Sequence, residues 1–301
     1  MIGAALACAR ASPWPGPGPH PRKPAALWIG GDVFLGAAPG GLLAPIGELE
    51  RGRAGVVNLE GPVGGAGAVV RDGERLRLSQ PRAALDELAR AGVKAALIAN
   101  NHAKDAGPDG AARTAEAARG AGISPVGGPA GAGLLEVDGW RIAISAHDLG
   151  AGVPGSLEAE LAAARARADA LVATFHVTGP PRYRPAPELE AAVEIALGAG
   201  ASVVAAQGTH AVARVERRGG AVIAWGLGNL AFACDCTDEV DGVLVEVDLD
   251  GREAPAAAVV PVEAGLRGRA AAPAPDAAAI YELLERIGSS PLRPEGPRAR
   301  F

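Results

Sequence analysis

Residues 81–120 read PRAALDELARAGVKAALIANNHAKDAGPDGAARTAEAARG, and this pattern predicts a helix, a strand and a second helix. Leucines on one helical face predict a helix over 81–91, which the following glycine ends. The apolar run over 95–99 predicts a buried strand, and a proline opens the second helix, 108–119. The polar segment 100–102, Asn-Asn-His, therefore lies at the carboxyl end of a strand.

The same alternation extends over residues 27–206, where short apolar runs and helical patterns follow one another. From Val212 to Val262, four strand patterns succeed each other without helices and predict antiparallel strands. A last helix, 276–287, precedes a Pro- and Arg-rich tail that we expect to be mobile. Alternation followed by a run of strands predicts a layered α/β fold in which a second sheet packs on the first. Ligands of such sheets bind beyond the carboxyl ends of strands.

Length and composition fit one large domain, because 301 residues with 49% hydrophobic content can supply a full core. We expect three segments: a Pro- and Gly-rich N-terminal segment, 1–26, the folded domain, 27–265, and the last helix with its tail, 266–301. The net charge of -5 is small and spread along the chain, and lysine occurs only at positions 23, 94 and 104. This charge pattern disfavours nucleic acid as a partner.

The N-terminus allows two interpretations, since residues 1–11 are apolar but short for a signal peptide and without a basic start. If they are the remnant of an export signal, the protein is exported or associated with the cell envelope; if they are a frayed end, it is cytoplasmic. The sequence has no apolar run of about 20 residues, so no membrane-spanning helix is predicted. Cys234 and Cys236 are too close in sequence for an easy bridge, so we expect free thiols.

Six polar side chains follow predicted strands or lie very near their ends. Taken singly, each has an ordinary interpretation as a turn residue, a helix cap or a surface side chain. Together they collect carboxylates, an amide and imidazoles at one edge of the sheet, which suits a borderline divalent ion such as Mn, Fe or Zn. They are Asp32, Glu60, Asn101, His102, His176 and His210.

Four segments resemble successive motifs of the CapA family, a bacterial family of poly-gamma-glutamate capsule synthesis. They read GDVFLG over 31–36, VVNLEGP over 56–62, ANNH over 99–102 with Asp105 and Gly107 after it, and IAWGLGNLAF over 223–232. The motifs occur in the order of the family, and the resemblance covers roughly residues 27–235.

The resemblance implies a fold similar to calcineurin-like metallophosphatases, an α/β/β/α sandwich of two packed mixed sheets flanked by helices. It also implies one or two divalent ions (Mn, Fe or Zn) and a catalytic histidine, His102, that meets the leaving oxygen of the substrate. The implied metal ligands are Asp32, Glu60, Asn101, His176 and His210. Residues expected on the substrate side are Asn100, Gln207, Asn229 and Arg182, although Arg182 could equally belong to a solvated loop.

Three departures from the family pattern affect the functional prediction. Gln207 stands where a histidine is common, the segment after His176 lacks an acidic residue, and Trp225-Gly226 replaces a Tyr-Ser pair. The favoured hypothesis is a metal-dependent, phosphoesterase-like hydrolase acting on an anionic small molecule or polymer. One alternative is a non-catalytic component that binds the polymer within a membrane-associated synthase complex. The other is a metal-dependent amide hydrolase or transferase that acts on poly-gamma-glutamate.

Overall fold

Two β-sheets pack face to face, and helices cover their outer surfaces. The computed structural model describes residues 22–38, 40–73, 75–180, 183–252 and 254–301. Within these residues, an eleven-stranded and a six-stranded sheet form the two central layers, and a separate two-stranded hairpin lies outside them. The layered α/β/β/α sandwich predicted from the sequence is therefore confirmed.

The strands, in chain order, are β1 (Ala25–Phe34), β2 (Ala54–Leu59), β3 (Val69–Asp72), β4 (Arg75–Leu78), β5 (Val93–Leu97), β6 (Ser124–Val126), β7 (Gly133–Val137), β8 (Trp140–Asp148), β9 (Ala170–His176), β10 (Val203–Gln207), β11 (Val215–Arg218), β12 (Ala221–Ala224), β13 (Asn229–Phe232), β14 (Asp241–Leu249), β15 (Ala256–Glu263), β16 (Gly265–Leu266), β17 (Ala272–Pro273), β18 (Arg293–Glu295) and β19 (Arg298–Arg300). The α-helices are α1 (Ala44–Leu49), α2 (Ala83–Arg90), α3 (Gly110–Gly120), α4 (Leu157–Arg165), α5 (Pro187–Gly198) and α6 (Ala277–Arg286). A short 3₁₀ helix covers Gly128–Ala130.

Each sheet contains a group of neighbouring parallel strands. In the first sheet, β1, β2, β5 and β6 run parallel, and β13 adds a short parallel strand at the carboxyl end of β1. In the second sheet, β8, β9, β10 and β12 are parallel, while β7 and β11 run antiparallel at the two edges. Each sheet therefore presents several strand carboxyl ends at one edge, where a ligand site is expected.

Three apolar clusters correspond to the spaces between the layers. The central cluster joins inward residues of the two sheets, such as Ile29 and Val172. A second cluster lies between the first sheet and the helices α1, α2 and α3, and a third lies between the second sheet and the helices α4 and α5. The strands read as near-continuous apolar runs because both faces of each sheet are covered.

The strands after residue 212 differ in part from the sequence prediction. The pairs β11–β12 and β14–β15 are antiparallel as expected, but β12 pairs parallel with β10. The segment that follows β12 crosses to the first sheet as β13. Sequence pattern could not separate these cases, because a buried strand reads the same in either direction. The exposed hairpin β3–β4 was also not predicted.

The C-terminal tail is paired with the first sheet, so the prediction of a mobile tail is wrong. Its strands β18 and β19 form a hairpin, and β19 pairs antiparallel with β15. Ala299 is fully buried, and Arg298 makes an ion pair of 2.9 Å with the buried Glu246 of β14. Glu50 is buried beside this pair, and burial together with the nearby Glu246 carboxylate raises its pKa to about 8. Apolar burial and a partly buried ion pair thus fix a segment whose Pro and Arg content is typical of a mobile tail.

Two further observations concern the cysteines and the membrane. Cys234 and Cys236 form a disulfide, with Cα atoms 5.3 Å apart, so the expectation of free thiols is wrong. The chain turns sharply enough between them to bring the two Cα atoms into the range of ordinary disulfides.

Within the described part of the chain, no helix combines the length and apolar character needed to span a membrane. Cys8, residues 1–21 and Arg182 lie outside the described residues.

Candidate metal centre

Two buried carboxylates come from adjacent strands of the first sheet. Asp32 lies near the end of β1, and Glu60 directly follows β2; neither side chain is appreciably exposed. The sharp approach of β13 to β1 sets the position of Asp32, whose backbone N–H donates to the carbonyl of Gly228 at 3.1 Å. A side chain at Gly31 would overlap that carbonyl, so only glycine fits before Asp32.

Asn58 connects the two carboxylates. Its Nδ2 donates to Oδ1 of Asp32 at 2.8 Å and to Oε1 of Glu60 at 3.2 Å. Its Oδ1 accepts a hydrogen bond of 3.1 Å from Nδ2 of Asn100, which also donates to the carbonyl of Leu59 at 3.0 Å. This amide chain holds the strand ends of β1, β2 and β5 in one arrangement. Asn58 lies within the VVNLEGP motif, but no role was predicted for it from the sequence.

The second sheet contributes His176 from the end of β9. Its Nε2 lies 3.0 Å from Oε1 of Glu60, and its Nδ1 lies 3.5 Å from Oδ1 of Asp148 at the end of β8. The ring is buried between two carboxylates that belong to different sheets. Asp148 was not predicted as a site residue, although it is a carboxylate that follows an apolar run.

The turn after β10 brings His210 to the same place. Gly208, with φ of 97°, donates its N–H to Oδ2 of Asp32 at 3.0 Å, and a side chain there would overlap the ring of His176. Nδ1 of His210 lies 3.3 Å from Oδ2 of Asp32 and 2.8 Å from Oδ1 of Asn229. His210 itself adopts a left-handed φ of 58°, a strained conformation for a non-glycine residue that often marks a functional site.

His102 and Asp105 form a hydrogen-bonded pair in the turn after β5. Nδ1 of His102 lies 2.7 Å from Oδ2 of Asp105, which also accepts from the backbone N–H of Leu78 at 2.8 Å. Arg75 of the hairpin β3–β4 contacts the other carboxylate oxygen at 3.1 Å. With Nδ1 engaged by Asp105, the Nε2 atom of His102 makes no hydrogen bond within the described residues. The ring is partly exposed, with 16% of its side-chain surface accessible.

Buried charges shift the ionisation of the whole cluster. Burial and the nearby Glu60 charge raise the pKa of Asp32. Burial alone would raise the pKa of Glu60, but the hydrogen bond and charge of His176 and the charges of His210 and His102 lower it. Burial opposes the charged imidazole, yet hydrogen bonds to Asp148 and Glu60 raise the pKa of His176 to about 10. Against the same opposition from burial, Asp32 and Glu60 also raise the pKa of His210. Imidazolium charges therefore offset the buried carboxylates.

The cluster fits a divalent cation. Asp32, Glu60 and His210 each offer one ligand atom, and these atoms lie within 4.8 Å of one another. Oε2 of Glu60 and Oδ1 of Asn100 are buried without a hydrogen-bond partner among the described residues. Buried carboxylates with unused lone pairs are costly unless paired, and a cation satisfies them. Carboxylate and imidazole donors suit Mn, Fe or Zn.

The remaining residues predicted for the site divide into two groups. Asn100, Gln207 and Asn229 are buried at the cluster, and Nε2 of Gln207 has no partner among the described residues. Asn229 holds His210 and donates through Nδ2 to the carbonyl of Glu239 at 3.0 Å. Asn101 is exposed, and within the described chain its side chain makes no hydrogen bond, so the structure brings Asn100 rather than Asn101 to the carboxylates. Arg182 cannot be placed.

Comparison with known proteins identifies the family. The model of the family described as bacterial capsule synthesis protein PGA_cap matches residues 42–234, more than half of the chain. The chain belongs to this family. The matched region of this PGA_cap protein contains Glu60, His102, His176 and His210, while Asp32 precedes it. The resemblance to CapA proteins inferred from the four motifs is thereby confirmed.

A solved structure supports the fold of this PGA_cap protein. The crystal structure of a hypothetical protein from Thermus thermophilus is similar with a TM-score of 0.54 and 18% sequence identity. The similarity covers 78% of this chain and 97% of that chain. At this identity the likeness concerns the fold alone. No curated protein matches the chain.

Proposed function

We propose that this PGA_cap protein is a metal-dependent hydrolase of phosphoesters that takes part in the synthesis of a polyanionic capsule. The observation that carries the proposal is the buried cluster of Asp32, Glu60 and His210, whose ligand atoms lie within 4.8 Å of one another. His176 contacts Glu60 and would complete the donor set. Membership of the family supports the biological process, and the donor set supports the chemistry.

Several residues of the chain have separate proposed roles in hydrolysis. Asp32, Glu60, His210 and His176 would hold the metal, and a bound divalent ion supplies activated water and charge stabilisation for an attacked phosphoryl group. Asn58 fixes the two carboxylates relative to each other through its amide. Asn229 holds the ring of His210 in place, because its Oδ1 lies 2.8 Å from Nδ1 of that ring.

His102 is the residue proposed to protonate the leaving oxygen. Its charge contributes to lowering the pKa of Glu60, which supports a position of the ring near the carboxylates. Asp105 contacts Nδ1 and so orients the ring with Nε2 as the nitrogen that would donate a proton. General acid catalysis of this kind typically contributes 10²- to 10⁴-fold to the rate.

A binding role without turnover is the second candidate. It is favoured by Gln207, a weak metal ligand at a position where the family commonly has histidine, and by His176, which binds a proton tightly between Glu60 and Asp148. In that case the site would recognise an anionic polymer within a membrane-associated synthase complex. A third candidate, cleavage or transfer at an amide bond of the polymer, uses the same metal chemistry on a carbonyl.

One set of measurements separates these candidates. Elemental analysis of protein purified without chelator measures the metal, and turnover of phosphomonoesters, phosphodiesters and poly-gamma-glutamate with added Mn²⁺ measures the reaction. We expect phosphoester turnover that Asp32→Ala abolishes together with metal content, and that His102→Ala reduces while metal content is retained. Polymer binding without turnover would favour the scaffold, and polymer fragments would favour amide cleavage. Protein without metal, and unaffected by Asp32→Ala, would contradict the proposal.

A further inference from the structure

A cavity of about 620 Å³ adjoins the candidate metal centre. It lies between the turn that follows β5, the loop around the 3₁₀ helix, the end of β8 and the helix α4. Asn100 and Asp148 line it, and both also contact the cluster, the first through Asn58 and the second through His176. The volume falls in the range of small-molecule sites. None of the residues proposed to hold the metal lines this cavity.

The cavity borders the segment that carries His102. Ala103 and Lys104, which follow His102 directly, line the cavity, and so does Asn100 before it. If His102 protonates the leaving oxygen, the group attached to that oxygen extends towards these neighbours. The cavity is therefore positioned to receive the leaving group rather than the phosphoryl group.

The cavity wall combines many small apolar side chains with a hydrogen-bonded pair of polar ones. Alanines and glycines form much of the lining, which leaves room for an extended chain. Ser145 and His147, two residues apart on β8, face the same side, and the Ser145 hydroxyl lies 2.7 Å from Nε2 of His147. Burial lowers the pKa of His147 despite the nearby Glu160, so this pair offers hydrogen bonds without charge.

Two cationic side chains at the cavity have no ion-pair partner within the described chain. Lys104 and Arg167 line it, both are exposed, and neither forms an ion pair with any residue that the structure describes. The two lining carboxylates have contacts of their own: Asp148 lies 3.5 Å from Nδ1 of His176, and Glu160 accepts from the Ser156 hydroxyl at 2.6 Å and lies 3.8 Å from Nδ1 of His147. Free ammonium and guanidinium groups favour an anionic ligand group.

We infer that this cavity is the leaving-group subsite and that Lys104 and Arg167 select a leaving group bearing its own carboxylate or phosphate. The inference rests on the proposed hydrolysis for the assignment to the leaving side, but the anion site itself does not require turnover. Ser145 and His147 hydrogen-bond to the polar part of the group, and the small side chains accommodate its carbon chain.

Binding to the metal-free protein provides the test, with isothermal titration calorimetry as the measurement. The probes are glutarate for a carboxylate source, glycerol 3-phosphate for a phosphate source and 1,5-pentanediol as the uncharged analogue. We expect at least one anion to bind, pentanediol not to bind, and Lys104→Met or Arg167→Met to weaken the anion about tenfold each. The anion that binds more tightly identifies the source.

Matched variants distinguish the cavity from general charge effects. Ala163 lines the cavity on an exposed face of α4, so Ala163→Phe should block binding, whereas Ala162→Phe, exposed on the same helix but outside the cavity, should not. Arg119→Met removes an exposed arginine elsewhere and should leave binding unchanged. Absence of anion binding, or equal loss in the control variants, would overturn the inference. Anion binding by a protein without hydrolytic activity would refute only the proposed function.

Discussion

Replacing Asn58 by alanine should destabilise the metal-free protein by about 3 to 5 kcal/mol. The change removes two hydrogen bonds to carboxylates, of 2.8 Å to Asp32 and 3.2 Å to Glu60, and the acceptor of the 3.1 Å bond from Asn100. Hydrogen bonds to charged groups contribute about 1.5 to 3 kcal/mol each and neutral ones about 1 kcal/mol. Water entering the space left by the amide offsets part of this sum.

The assay for this prediction is urea unfolding at pH 7 with a chelator present, followed by circular dichroism. Asn101→Ala is the matched control, because Asn101 is exposed and makes no side-chain hydrogen bond within the described residues. We expect the control to remain within about 0.5 kcal/mol of the wild type. A loss below 1 kcal/mol in Asn58→Ala, or an equal loss in Asn101→Ala, would show that the amide chain does not hold the strand ends together.

Three further predictions concern pH and catalysis. The affinity for Mn²⁺ should rise with pH from 6 to 9, by up to about tenfold per unit for each proton released, because His176, with its pKa raised to about 10, must lose a proton to become a ligand. Competition titrations with a chelator of known affinity at several pH values test this, and pH-independent affinity would contradict it. Burial and the Glu246 charge raise the pKa of Glu50 to about 8, so stability should fall as pH rises from 5 to 7.5, by roughly 2 to 3 kcal/mol. Glu50→Gln should remove most of that slope in urea unfolding, and an unchanged slope would exclude Glu50 as its source. Asp105→Asn should lower kcat at least about tenfold with little change in metal content, because the ring of His102 loses its carboxylate partner. Steady-state kinetics with Mn²⁺ test this, and an unaltered kcat would contradict it.

The sequence predicted the fold well where helices alternate with buried strands. Runs such as 95–99 are apolar on both faces, and this pattern is specific for a sheet covered on both sides. It failed where direction or partner decides the structure, as for β13, because crossing between sheets depends on close backbone approach at Gly31 and Gly228. Pairing of the tail was also invisible, since one partner, Glu246, lies about 50 residues earlier in the chain.

For the candidate site, the sequence predicted most of the residues that lie together but not the contacts that their side chains make. Asp32, Glu60, His176 and His210 lie together because parallel strands end at one edge of each sheet. The choice between Asn100 and Asn101 depends on which of two adjacent side chains points inward after β5, and no periodicity extends into that turn. Their assignment as ligands stays a prediction until a metal is measured.

The origin of the donors in two different sheets has a consequence for the metal-free protein. Among the four proposed donors, the first sheet supplies Asp32 and Glu60 and the second supplies His176 and His210, so opposite charges meet where the two sheets face each other. Mutual attraction across this boundary would hold the proposed pocket together without an ion, and a cation bound there would replace protons rather than assemble the two layers. Metal loading should therefore be accompanied by acid release with little rearrangement of the backbone.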